Sequence, residues 1–230
     1  MVEPIRRSLE YQAVGRKLLL VDELPQGAYA RYERDVAATA TVISRRGAVP
    51  DQIVEGEEIL VPTFEIAARP TIRLSEIKAR RFYIVDRAQI KAKEAIQKEE
   101  DTNIFNALIA AAVNLGTQIV LNVGNLTVTS LNTAFRLIET HDLVATKIVM
   151  HATQFAAVRL FGKDFFDEAT QREIITTGLY GHLFTADIHV SSRMNPEMVL
   201  VVASPDTVGV FPIRQDITVL PADDPTFLRA

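Results

Sequence analysis

The residues that come nearest to a reactive constellation are His182, Asp187 and His189, where two imidazoles seven positions apart flank a carboxylate on strand-like sequence. A metal-binding pair is conceivable there. Zinc, however, takes at least three protein ligands in closed geometry, and two histidines make no site. They read as solvated or hydrogen-bonded side chains at strand ends. The run Glu99-Glu100-Asp101 offers a second possibility, paired carboxylates for general acid–base work. Consecutive positions on a helix point three ways rather than toward one substrate, so the run reads as a solvated face. Asp223-Asp224 beside Pro225 is a surface turn, and the sequon Asn125-Leu126-Thr127 has no meaning without a secretory route.

Catalytic patterns are absent from the sequence: there is no GxxxxGK[ST] phosphate loop, no GxGxxG, no GxSxG and no HExxH. The chain also has no Cys, which excludes a thiolate nucleophile, a disulfide framework and a Cys-based zinc site. No catalytic residue, metal ligand or cofactor is therefore assigned. At 230 residues and 48% hydrophobic, the chain can bury a real core, in one large domain or two small ones. The net charge of −4 is unevenly laid out: residues 1–100 hold 17 Lys and Arg against 16 Asp and Glu, and residues 101–230 hold 8 against 13. No basic run interleaves with aromatics, so a face that reads nucleic-acid sequence is not expected. No signal peptide is read at the N-terminus, and no apolar stretch approaches the length needed to span a membrane.

The elements that must carry these residues follow from periodicity. Residues 8–20 suggest a short helix capped by Ser8, broken by a turn at Pro25 and Gly27. Strand-like residues 36–44 and 58–66 flank the turn-rich 45–57, with Pro62 arguing for an edge position, and 71–78 reads as extended. The longest regular element is a helix over about 85–113, with Ala88, Ala92, Ala95, Ile96, Ile104, Leu108 and Ala111 along one stripe. A second helix follows at about 131–141, capped by Thr129 or Ser130. Then comes a compact α/β order: a buried strand at 145–150, a helix at 152–160, a helix from Asp167 to Gly178, and strands in 187–192, 197–204, 207–213 and 216–220. The ribbon flanking residues 45–57 carries polar residues on both faces. It could fold back on the α/β unit as an ordinary hairpin, or lie on a neighbouring chain.

This succession resembles the major capsid proteins of tailed bacteriophages, with the Hong Kong-type shell fold shared by encapsulins. "LPQGAYARYERDV" is similar to the end of an N-terminal arm, and "TVISRRGAVPDQIVEGEEILVPTFEI" to the extended E-loop. "RAQIKAKEAIQKEEDTNIFNALIAAA" is similar to the spine helix of the peripheral domain, and "SLNTAFRLIETHDL" to that domain's second helix. "ATKIVMHATQFAAVRL" through "TVGVFPIRQDITVLPADDP" resembles the axial domain. The resemblance implies an α+β fold: N-terminal arm 1–35, E-loop β-hairpin 36–68, peripheral domain 69–143, α/β axial domain 144–213 and a C-terminal return segment 214–230. It implies a structural protein of the virion, not an enzyme. Copies would self-assemble in the bacterial host cytoplasm, through pentamers and hexamers, into an icosahedral head enclosing double-stranded DNA without reading its sequence. Portal, a separate scaffolding protein and a decoration protein are the further partners it brings, and no membrane. The alternatives are an encapsulin shell around a cargo enzyme and an unrelated α/β enzyme or ligand-binding protein.

Two features depart from the family pattern. Some members join the E-loop to a neighbour through a Lys–Asn isopeptide bond, yet residues 35–77 contain no lysine and carry Arg45 and Arg46 instead. The chain also stops at Ala230, where the family usually continues into a returning strand, and Met1 lies close to the arm, so scaffolding is expected as a separate protein or as a segment already removed. The ribbon crowds Asp51, Glu55, Glu57 and Glu58 into eight residues, and Lys78, Arg80, Arg81 and Arg87 form a basic cluster near the start of the long helix. These residues, with Arg45 and Arg46, are the expected contacts between subunits, the acidic tip docking over a neighbour's cations.

Overall fold

The computed structural model describes Tyr11 and residues 13–25, 27–34, 56–73, 75, 78, 84–116, 118–121, 124–161 and 182–218. The expected strand 36–44, the ribbon residues Arg45, Arg46, Asp51 and Glu55, the cations Arg80 and Arg81, the helix 167–178 and the segment beyond Thr218 lie outside them. The fold is mixed α+β, and the chain divides into two compact units. One comprises Met1–Val21, Ile66–Phe211 and Ile217–Ala230; the other comprises Asp22–Glu65 and Pro212–Asp216.

The larger unit is built on a four-stranded sheet. Strand β4 (Ala145–Met150) lies in its interior, parallel to β6 (Ala186–Val190) and antiparallel to β7 (Val199–Ala203), and β5 (His182–Leu183) closes the other side against β6. Because side chains alternate along a strand, Ile148 and Met150 face one way and Val149 the other, and all three are buried. A strand buried on both faces needs an apolar run, which "ATKIVM" supplies apart from Thr146 and Lys147. On the first face lie helix α2 (Val128–Glu139) and helix α3 (Ala152–Val158), contributing Leu131, Phe135, Phe155 and Val158 to a shared cluster. On the second face, Val149 meets Phe105 of helix α1 (Ile84–Leu115) together with Val14, Leu18 and Met194.

Helix α1 has 32 residues and is about 48 Å long at ~1.5 Å per residue. Its buried positions differ from the expected alanine-rich stripe: they are Glu94, Glu100, Asp101, Ile104 and Phe105, while Ala95 and Ala111 are exposed. Helix α2 starts earlier than expected, because Thr127 rather than Thr129 or Ser130 is the cap. The Thr127 Oγ1 accepts from Ser130 N at 3.2 Å, and Ser130 Oγ accepts from Thr127 N at 3.2 Å. This reciprocal pair satisfies two amides that the first turn leaves without helical partners.

Three further expectations need correction. Residues 13–20 form a 3-10 turn at Gly15–Lys17 rather than a helix, and Leu20 enters strand β1 (Leu20–Glu23). The cause is competition for the backbone: a carboxylate of α1 takes the Val14 and Gly15 amides, and Leu20 N donates to Gly209 O at 3.0 Å. Ser75 and Lys78 are helical where 71–78 reads as extended; the alternation there covers few residues, and the polar, charged sequence from Ser75 suits a helix start better. The expected strand 207–213 splits into a short helix α4 (Pro205–Val208), opened by Pro205, and strand β8 (Val210–Ile213), which pairs with β1. Asp216–Thr218 is not a strand.

The smaller unit holds a two-stranded antiparallel ribbon, β2 (Arg31–Arg34) with β3 (Glu57–Leu60), in the register Arg31 to Leu60 and Arg34 to Glu57. Strand β3 is thus shorter than the expected 58–66. Gly27 takes a positive φ of 81° in the turn that precedes β2, as Pro25 and Gly27 predict.

Candidate assembly interface

The histidines form no metal centre. His182 Nδ1 lies 2.6 Å from Asp187 Oδ1, and both side chains are more than half exposed. The hairpin register explains this, since His182 sits directly opposite Asp187. His189 is half-buried, and burial first, with Lys17 and Lys147 nearby, pushes its imidazole below the usual range. Burial likewise lowers Lys147, whose Nζ donates to the Lys17 carbonyl. Among the described residues no group of three His, Cys, Asp or Glu side chains could hold a metal ion.

The carboxylates of α1 behave differently from a solvated face. Glu99 is exposed, but Glu100 and Asp101 are buried, Asp101 completely. Asp101 Oδ2 accepts from the Tyr11 hydroxyl at 2.5 Å and from Val14 N at 3.0 Å, and Oδ1 accepts from Gly15 N at 2.8 Å. Glu100 takes a two-pronged contact from Arg16, Nε to Oε1 at 2.5 Å and Nη2 to Oε2 at 3.1 Å. One turn and a half earlier, buried Glu94 meets Lys91 Nζ at 2.6 Å, and that bond first of all holds its carboxyl below the usual range. Its Oε1 is buried with no hydrogen-bond partner. Sequence reasoning missed this arrangement. Burial and the bond to Asp101 push the Tyr11 phenol up to about 12, so it stays a donor across the physiological range. Glu100 and Asp101 fasten one segment to one helix.

Exposed apolar side chains occur in both units. Leu121 and Leu160 of the larger unit are more than 80% exposed, and in the smaller unit Tyr29, Ile59, Leu60 and Phe64 reach solvent. Every residue of β3 is exposed, so the strand adds no buried side chain to its unit. Of the predicted contact residues, Glu57 and Glu58 lie on this strand, and Glu58 pairs with Arg31 at 3.2 Å, both well exposed. Arg31 also lies 5.6 Å from the ring centre of Tyr29. Tyr32 donates to Asp22 at 2.8 Å; burial and then that bond raise its phenol to about 12. Lys78 and Arg87 are exposed in the larger unit, Arg87 on the first turn of α1.

No protein-family model matches the chain, and no curated protein matches it significantly by sequence. Solved structures do match by shape. A chain of Microbacterium phage Oxtober96 is 15% identical, with a TM-score of 0.67 over 94% of this chain and 78% of that one. A chain of Mycobacterium phage Adephagia is 12% identical, with a TM-score of 0.65 over 100% of this chain and 84% of that one. The capsid structure of the cyanophage P-SCSP1u matches at 13% identity, with a TM-score of 0.60 over 85% of this chain and 68% of that one. The chain has the fold of these phage structures, one of which is a capsid structure.

Proposed function

We propose that this chain, having the phage capsid fold, is a major capsid protein: a shell subunit that assembles with its own copies into pentamers and hexamers and encloses double-stranded DNA. The observation that carries the reading is the likeness to the cyanophage capsid structure over 85% of the chain, together with the two phage chains matched over 94% and 100% of it. In this reading α1 is the spine helix of a peripheral domain at 69–143, and the four-stranded sheet belongs to an axial domain at 144–213. Residues 1–35 are the N-terminal arm, 36–68 the E-loop and 214–230 a returning segment.

The exposed strand β3 supports the assignment of the ribbon to a neighbour's surface, because a two-stranded ribbon is marginally stable alone. The acidic residues Asp51, Glu55, Glu57 and Glu58 would then dock over Lys78, Arg80, Arg81 and Arg87 of the next subunit, with Arg45 and Arg46 beside them. Exposed ion pairs contribute only ~0–1 kcal/mol each, so such contacts set register more than strength. Portal, scaffolding and decoration proteins complete the proposed partners, and the host cytoplasm is the proposed place of assembly. The test is electron microscopy of the purified protein after expression. Closed shells of uniform size are expected, and a monodisperse monomer at high concentration would refute the proposal. Packaged DNA in native particles, rather than a protein cargo, is the further expectation.

A further inference from the structure

Tyr11 and residues 13–18 belong to no sheet. Within themselves they make the bonds of a 3-10 turn, Lys17 N to Val14 O at 3.0 Å and Leu18 N to Gly15 O at 2.9 Å. Three of their bonds to the rest of the larger unit converge on one helix position, where Asp101 accepts from Tyr11, Val14 and Gly15 at 2.5–3.0 Å; Arg16 pairs with the adjacent Glu100, and Lys147 of β4 donates to the Lys17 carbonyl. We propose that this segment is a detachable strap: docked, it locks α1 against the sheet, and released, it opens as a unit while α2, α3 and the sheet stay folded.

Four observations carry this. The segment fills the seam between helix and sheet, since Val14 and Leu18 pack in one cluster with Phe105 of α1 and Val149 of β4. Tyr11 spans the same gap with a polar group, its hydroxyl 2.5 Å from Asp101 and 3.3 Å from Ser191, just after β6. Gly15 lies so close to the helix that a Cβ there would stand 2.7 Å from Ile104 Cδ1 and 2.8 Å from Asp101 Oδ1, so docking depends on a bare backbone. Finally, the cluster on the opposite face of the sheet contains no residue of the segment, so its packing survives release. Proteins open in such separable units, each with its own free energy.

The attachments also fail together. Glu100 and Asp101 are adjacent buried carboxylates, and the segment answers their charge with Arg16, the Tyr11 hydroxyl and the amides of Val14 and Gly15. Vacating the seam turns it into an anionic groove that admits water instead of collapsing. The proposal concerns the isolated subunit and stands or fails independently of shell assembly.

Hydrogen exchange read by mass spectrometry tests it on the full chain. Asp101→Asn keeps the shape but replaces an acceptor oxygen with a donor, and Gly15→Ala pushes the segment off by contact alone. In both variants exchange over 13–18 and 101–109 should rise at least tenfold, with trypsin cutting after Arg16 and Lys17. Peptides from α2 and β7 should exchange as in the unaltered protein. Unchanged exchange over 13–18 in either variant, or equal acceleration in α2 and β7, overturns the proposal.

Discussion

At Tyr11 and Tyr32 the environment leaves a titration signature that can be read directly. Both phenols are raised from 10.0 to about 12, foremost by burial and then by the bonds to Asp101 and Asp22. A raised folded-state pKa means that the protonated group contributes stability below pH 10, and that this contribution is lost as pH climbs from about 10 through 12. Tyrosinate absorbance should therefore keep steps near pH 12 that disappear one at a time in Tyr11→Phe and Tyr32→Phe. The urea midpoint of the unaltered chain should fall over the same window, and complete tyrosine ionisation by pH 11 would contradict the assignment. The sequence displays none of this. It shows Glu99, Glu100 and Asp101 as three equivalent acids, and which of them is buried depends on a backbone segment 84–90 residues earlier in the chain. Nothing local distinguishes them.

Elements whose cause is local were far more legible. The helix Val128–Glu139 announces itself by apolar period, the strand Ala145–Met150 by a short largely apolar run and the helix Ile84–Leu115 by its length without breakers, and the observed bounds differ from the expected ones by a few residues. What periodicity misjudged was the start of helix α2 and stretches held by distant partners, such as residues 13–20. The Thr127 cap gives a direct check. Thr127→Ala removes the acceptor for Ser130 N and should cost ~1 kcal/mol of stability, seen as a lower urea midpoint with an unchanged slope. Substitution of Thr129 by Ala, at the position expected to cap, should cost less than half as much. The hairpin between β5 and β6 shows the opposite kind of element, one that holds a residue against its preference. Phe184 takes a positive φ of 54° and sets its ring edge-on to Phe135, 5.4 Å between centres. An unbranched polar residue or glycine is the usual occupant of that conformation, so packing on α2 outweighs backbone preference here.

For the molecule as a whole, the proposed shell makes a chemical prediction that composition alone decides. Residues 35–77 hold no lysine, and an arginine guanidinium stays protonated and cannot serve as the amine nucleophile. Assembled particles should therefore run on denaturing gels as a single band near 25.5 kDa. A ladder of covalent oligomers would contradict it. Over the described residues the succession of long helix, second helix, buried strand and third helix was readable, because each has its own local signal; the division into two units was not, because it depends on which distant segments share a core. That same separation in sequence has a temporal side. Tyr11 and Ser191, which meet through their hydroxyls, are 180 residues apart. At ribosomal speeds of ~5–20 residues per second, Tyr11 waits roughly 10–40 s for its last partner to be synthesised. The nascent chain thus carries a built-in delay: helix α1 is complete long before it can be fixed in place, and a subunit is fastened only once nearly all of it has been translated.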